Sequence, residues 1–150
     1  MTTRTSTRHH SDVSHVHFTV LGKAEPGGSK RGFPVHRSCG SIGVTLSDAN
    51  PRVKSWRQEV AQCALDAMDG PPWEGPVVLT LHFYLTRPKS VKRPYPSVRP
   101  DVLKLARAVE DAMTGIVYRD DAQIVEETLI KRYANTEPPQ VVVIARTLEE

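Results

Sequence analysis

A chain of 150 residues, 39% hydrophobic and 25% charged with a net charge of +3, has the make-up of one globular domain with its own core. That composition excludes wholesale disorder, a fibre and a small disulfide scaffold. The longest apolar runs fall short of the ~18 residues a membrane span requires. Cys39 and Cys63 lack metal-type pairing and no apolar leader opens the chain, so reduced thiols in a reducing cytosol and no membrane partner are expected.

Residues 1–14, which include MTTRTSTRHHSD, are polar and aperiodic and read as a disordered tail, leaving 15–150 as the folded domain. From His15 to Leu21, Val16, Phe18 and Val20 alternate with polar residues, predicting a half-buried strand. The Pro-, Gly- and Ser-rich stretch that follows predicts an extended loop without an obvious structural role, with a hairpin reaching Val44. Capping side chains between Ser47 and Asn50, then Pro51, predict the start of a helix whose apolar stripe is Val53, Trp56, Val60, Cys63, Ala64 and Ala67.

Gly70, Pro71 and Pro72 end that helix, and Val77, Leu79, Leu81, Phe83 and Leu85 then alternate as a strand. A Pro-rich basic loop leads to a second helix with the stripe Val102, Leu105, Ala106, Val109, Ala112 and Met113, closed by Gly115. Ile116–Tyr118 reads as a short strand, Asp120–Asp121 as a turn and Gln123–Tyr133 as a longer strand of imperfect alternation. The run Val141–Ile144 suits a strand covered on both faces. The sum is an α/β (α+β mixed) single domain with a mixed sheet and two main helices.

Charge is segregated along this frame. From Thr86 to Arg107 there are seven Lys or Arg against one acid, a local balance of +6, whereas Glu110 to Glu127 holds six acids and one base, a balance of −5. A basic arm beside an acidic centre is what a site acting on a polyanion requires, because the acids alone would repel it.

No G-x-x-x-x-G-K-[ST], H-E-x-x-H, C-x-x-C or G-x-S-x-G is present, which excludes P-loop nucleotide hydrolysis. The remaining chemistry lies in carboxylates at a helix entrance, Asp101, and on a downstream turn, Asp120 and Asp121. Mg²⁺ keeps several waters and takes one or two carboxylates plus substrate phosphate oxygens, so this sparse set suits metal-assisted phosphodiester hydrolysis. Plain roles fit the same residues: Asp101 as a helix cap, and the Asp pair as a satisfied turn. The six histidines show no ligand spacing beyond a strand pair, and Tyr95 and Tyr118 fit packing better than base stacking.

The stretch RPDVLKLARAVEDAMTGIVYRDDAQIV, Arg99 to Val125, resembles the signature of the RusA family of Holliday junction resolvases. Asp101, Lys104, Leu105, Arg107, Asp111, Ala112, Asp120, Asp121 and Gln123 match its pattern. FTVLGKAEPGGSKR and Lys131–Tyr133 are also similar to family members. The resemblance implies a dimeric, Mg²⁺-dependent endonuclease that cuts branched DNA, with Mn²⁺ as the other candidate ion. It implies Asp101 and Asp121 as metal ligands, Asp120 in support, and Arg107 in place of a functionally important lysine. It also implies a four-way junction as substrate, a homodimer making paired cuts, and a cytoplasmic location in a bacterium or in the bacterial host of a virus. Lys30, Arg31, Lys89, Lys92, Arg93, Arg99, Lys104 and Lys131 are then the expected phosphate contacts.

One position departs from the pattern: Leu103 stands where the family has its second helix-entrance carboxylate. At about 100° per residue Leu103 falls on the polar flank of its helix, and Glu110, two turns on, falls on the same flank where the family has an apolar residue. An inactivating change, a member that binds branched DNA without cutting, or replacement of the lost oxygen by Glu110 would each produce this exchange.

Overall fold

The computed structural model describes residues 13–28, 30–36, 38–48 and 50–149, with the side chains of 30–33 and 45–48 outside that description. The proposed tail lies, over residues 1–12, outside the described residues, whereas Ser14 is pinned to the far end of the chain. Its N–H donates to Thr147 Oγ1 at 3.0 Å and its carbonyl accepts from Thr147 N–H at 2.9 Å.

Four strands form a mixed sheet in the order β1 (His15–Leu21), β6 (Gln140–Thr147), β4 (Val77–Leu85) and β5 (Ile124–Tyr133). β6 runs antiparallel to both neighbours, and β4 and β5 are parallel. A parallel pair needs a crossover, and helix α2 (Val102–Met113) supplies it. The chain is thus a single α+β domain, as the order of apolar periods predicts. β2 (Lys30–His36) and β3 (Ile42–Asp48) pair as a separate antiparallel hairpin that extends past Val44.

Both helices take the same side of the sheet. Helix α1 (Val53–Ala67) buries Val53, Trp56, Val60 and Ala64, and α2 buries Leu105, Ala106, Ala108, Val109, Ala112 and Met113. Against them lie Val77, Leu79, Leu81 and Phe83 of β4 and Val141, Val143 and Ala145 of β6. Burial of this continuous apolar layer is what favours folding, at about 25 cal/mol per Å² removed from water.

Three sequence expectations change. β6 is covered on one face only: Val141, Val143 and Ala145 are buried while Ile144 is 40% exposed, because both helices pack on one side. Residues 116–118 form a turn with isolated bridges rather than a strand, and Val117 and Tyr118 are nevertheless fully buried. The loop after β1 does have a structural role. Gly27 N–H donates to the Lys104 carbonyl at 2.9 Å, fastening the loop to α2. Glu25, 8% exposed, accepts from Asn50 Nδ2 at 2.7 Å, and Asn50 Oδ1 in turn accepts from Arg52 N–H at 3.1 Å.

One amide side chain thus joins a buried carboxylate to the first turn of α1. Asn50→Ala removes the partner of a buried charged group, which costs about 2 kcal/mol. Thermal melts should show Tm lower by roughly 4–8 °C in a chain of this size. An unchanged Tm would mean that the Glu25 carboxylate finds another partner.

Candidate functional site

The site is built where α2 lies against β5, an edge strand of the sheet. At one end of this groove Lys131 of β5 donates through Nζ to the carbonyls of Val98 and Pro100, each at 2.8 Å, and feels the charge of Asp101. At the other end Glu127 of β5 hydrogen-bonds to Glu110 of α2. Four strand residues and nine helix residues both span about 13 Å, so helix and strand run in opposite directions and the two ends lie about that far apart.

Asp101 stands at the helix entrance with no side-chain cap to the helix, so its carboxylate is not used in capping. It is exposed, lies 4.0 Å from Lys104 Nζ, and lines a hollow of about 620 Å³ that also includes Glu25 and Asn50. Leu103 is 70% exposed, a bare hydrocarbon presented to water.

Asp121 opens onto a different hollow, of about 290 Å³, which it shares with Glu110, Glu126 and Glu127. Burial, the hydrogen bond that it donates to Glu127 and the negative charges of Glu127 and Asp121 push the Glu110 carboxyl up to about 8, against a lowering by Arg107. Near neutral pH the Glu110–Glu127 pair therefore holds a proton between two carboxyls. Burial first, then Glu110 and Asp121, also push the Tyr118 hydroxyl up, and that hydroxyl donates to the Glu110 carbonyl at 2.9 Å.

Asp120 and Gln123 hold Asp121 in place. Asp120 accepts from Ala122 N–H at 2.8 Å and caps a 3-10 turn over Asp121–Gln123. Gln123 Oε1 accepts from the N–H groups of Arg119 and Asp120, each at 2.9 Å, while its Nε2 donates to the carbonyls of Trp73 and Gly75 at 2.8 and 3.0 Å. All four hydrogen-bonding positions of this amide are filled. Asp111 is engaged across the helices by Arg57 at 3.3 Å.

Arg107 lies over Gly28. A Cβ there would meet Arg107 Cδ at 2.5 Å, and the φ of +82° is one that glycine adopts without strain. The PGG turn thus leaves room for an arginine that faces Glu110.

The basic arm is organised rather than slack. Arg87 donates to the carbonyls of Val91 and Arg93 at 3.1 and 3.0 Å, and the guanidinium groups of Arg87 and Arg93 lie 5.7 and 6.0 Å from the Tyr133 ring centre. Lys89, Lys92 and Arg99 are exposed, as phosphate contacts must be, while Lys131 already uses two donors on the loop and Arg93 is drawn onto Tyr133. The side chains of Lys30 and Arg31 lie outside the described residues.

Glu127 escapes a reading of the sequence. A register shift between Val77 and Val78 breaks the alternation at the start of β5, so that Glu127, and not Glu126, is in phase with half-buried Leu129 and buried Tyr133. Counting back by twos from Tyr133 would have found it.

The family described as Endodeoxyribonuclease RusA matches residues 35–145. The chain belongs to the RusA endodeoxyribonuclease family. The match spans α1, β4, the basic arm, α2 and the Asp120–Asp121 turn, so every element of the groove lies inside it. The chain is also 29% identical to the "Uncharacterized protein YqaN" of Bacillus subtilis (strain 168), over 87% of this chain and 95% of that protein. No helix among the described residues is long and apolar enough to cross a membrane.

The side-chain donors around Asp121 are all carboxylate oxygens, the chemistry that hard divalent cations take, so this hollow fits such an ion in kind. Among the described residues no three His, Cys, Asp or Glu side chains already stand close enough to hold one together. Water and phosphate oxygens would have to complete its shell, as is usual for Mg²⁺.

The shared proton has a stability consequence. Glu110 binds its proton more tightly folded than unfolded, so between its ordinary range and about 8 the folded state carries more protons and stability falls as pH rises. With divalent ions removed, Glu110→Gln should leave Tm nearly unchanged at pH 5 and raise it at pH 8.5. The rise should be roughly 2–4 °C, the equivalent of about 1 kcal/mol once water screening of a half-exposed group is allowed for. A lower Tm at pH 8.5 would contradict the charge clash.

Proposed function

We propose that this RusA-family chain is a divalent-metal-dependent endonuclease that hydrolyses phosphodiesters of branched DNA, with its reacting centre at the hollow of Asp121, Glu110 and Glu127. The supporting observation is that these three carboxylates line one hollow, in a groove whose other end carries clustered bases, inside the residues matched by the family. Asp121 and the Glu110–Glu127 pair would hold Mg²⁺ or Mn²⁺, with Asp101 at the neighbouring hollow nearer the basic arm. When bound, the ion supplies polarisation of the scissile phosphate and a lowered pKa for an attacking water.

The chain's own residues do the rest. Asp120 and Gln123 fix the backbone from which Asp121 projects, so its carboxylate needs little reorganisation. Arg107, steered by Gly28, places positive charge beside Glu110, where charge grows on the phosphate in the transition state. The proton between Glu110 and Glu127 must leave before both can act as ligands, so ion and proton compete. Lys89, Lys92, Arg99 and Lys104, with Lys30 and Arg31 of β2, grip phosphates without reading sequence, which suits recognition of a branch by shape. A C2 homodimer would present two such centres to the matching strands of a four-way junction and make paired cuts.

A second reading, a branched-DNA-binding protein that does not cut, is favoured by one observation: Leu103 exposes hydrocarbon where the resemblance calls for a carboxylate. A labelled four-way junction with Mg²⁺ separates the two. The endonuclease reading expects nicks from the natural chain. It also expects about 10²-fold or greater loss of cleavage for Asp121→Asn, as for removal of an electrostatic transition-state group, with the junction still bound, and faster cleavage for Leu103→Asp. Retention without nicks, restored by Leu103→Asp, would establish the binder, and cleavage unaffected by Asp121→Asn would overturn the assigned centre. Junction affinity should fall by about 10³-fold or more between 50 and 200 mM salt if six or more phosphates are gripped, and a flat response would rule out that grip.

A further inference from the structure

The β2–β3 hairpin stands apart from the main sheet. Its strands pair with each other from Lys30↔Asp48 to His36↔Ile42, and among the described residues they pair with no other strand. A two-stranded hairpin by itself is marginal in water. In its outer half Pro34 stands opposite Val44 and His36 opposite Ile42, so these four side chains share one face. All four are exposed, Ile42 by 68% and Val44 by 71%. Adjoining bare hydrocarbon, unlike scattered single residues, marks a surface that meets something else.

The hairpin's roots and charge restrict that partner. Its first foot is fastened to α2 by the bond from Gly27 N–H to the Lys104 carbonyl, and its second, Asn50, bonds to Glu25 of the first. Glu25 and Asn50 both line the hollow of Asp101, together with Arg99 and Lys104. The hairpin, about 20 Å long at ~3.3 Å per residue, therefore springs from the lip of the basic end of the groove. Residues 30–48 hold Lys30, Arg31 and Arg37 against Asp48, a balance of +2. A second copy meeting it hairpin to hairpin would bring like charges together, because a two-fold contact sets one patch against itself, and Pro34 has no N–H to offer an added strand. A polyanion has the complementary charge. The apolar ledge further asks that this polyanion present flat hydrocarbon. Duplex DNA hides its base faces by stacking and bares them only where stacking is interrupted.

We infer that the face of the hairpin formed by Pro34, Ile42 and Val44 seats against base-pair faces laid open at the centre of a DNA branch, with the hairpin's positive charge on the flanking phosphates. The inference rests on the branched-DNA reading above and deepens it. A phosphate grip does not distinguish a branch from a duplex, whereas an apolar ledge does, since only interrupted stacking offers it hydrocarbon. Apolar side chains set against an unstacked step are a recurrent means by which proteins hold distorted DNA. Because the hairpin is rooted at the hollow of Asp101, a branch centre seated on it is brought beside the groove between α2 and β5. Ile42 and Val44 are therefore specificity residues and not catalytic ones.

The test titrates the full chain into a labelled four-way junction and into a linear duplex of the same arm sequence, at low salt in EDTA, with binding followed by anisotropy. The expected result is tighter binding to the junction. Ile42→Thr with Val44→Thr, which keeps β-branched side chains and so the strand preference, should weaken junction binding about tenfold or more and leave duplex binding in place. Ile42→Val with Val44→Ile, which keeps the hydrocarbon, should retain the preference, as should Val35→Thr on the other face of the hairpin. Equal losses for junction and duplex, or no loss for either, would overturn the inference while leaving the branched-DNA reading intact. Sedimentation of the chain without DNA tests the rival occupant. An unchanged size for the threonine variant supports the inference, and a fall from a larger to a smaller species would assign the ledge to a contact between copies and overturn it. Failure of the natural chain to bind the junction at low salt would overturn both readings.

Discussion

The contact between the carboxyls of Glu110 and Glu127 is the interaction around which the site is arranged. Two acids brought together from a helix and a strand, with Asp121 adding a third charge, are unfavourable unless a proton or a cation lies among them. Such an arrangement persists because the apolar layer beneath it fixes both elements. Leu105, Val109 and Met113 hold α2 on the sheet, and the β4–β5 pairing sets the height of Glu127. The core thus holds charges in a place that they would not choose themselves, which is how folded proteins prepare electrostatic sites.

The groove also explains why the charge segregation of the sequence has a spatial meaning. Because α2 and β5 run in opposite directions, the basic residues before and at the start of α2 meet Lys131 late in β5, while the acids late in α2 meet those early in β5. One crossover unit therefore becomes a surface with a cationic end and an anionic end about 13 Å apart. A polyanion held at the first is brought beside the second. Lys131 contributes by anchoring the loop that carries the arm into α2, a positioning role that its charge alone does not suggest.

Much of this was legible in the sequence where periodicity was strong. Strands β1 and β4 and the buried stripes of both helices follow from alternation and 3.6-residue spacing, because one face of each had to be apolar. The Asp120–Asp121 turn was legible as a turn, but the fourfold engagement of Gln123 was not, since it depends on carbonyls nearly fifty residues earlier. β6 misled because an unbroken run of Val and Ile satisfies a one-sided strand as well as a two-sided one. Glu127 was hidden by the shift in register that opens β5, and Gly28 by a contact with Arg107 that only the folded loop creates. The exchange of Leu103 and Glu110 was visible, but which hollow Glu110 faces was not.

The central claim is that Asp121, Glu110 and Glu127 form one cation-binding unit. Isothermal titration with Mn²⁺, on the natural chain and on Asp121→Asn, Glu110→Gln, Glu127→Gln and Asp101→Asn, tests it most directly without any need for cleavage. The claim predicts binding with release of protons near neutral pH, lost or greatly weakened by the first three substitutions and weakened least by the fourth. Binding that survives Glu110→Gln and Glu127→Gln but disappears with Asp101→Asn would contradict it.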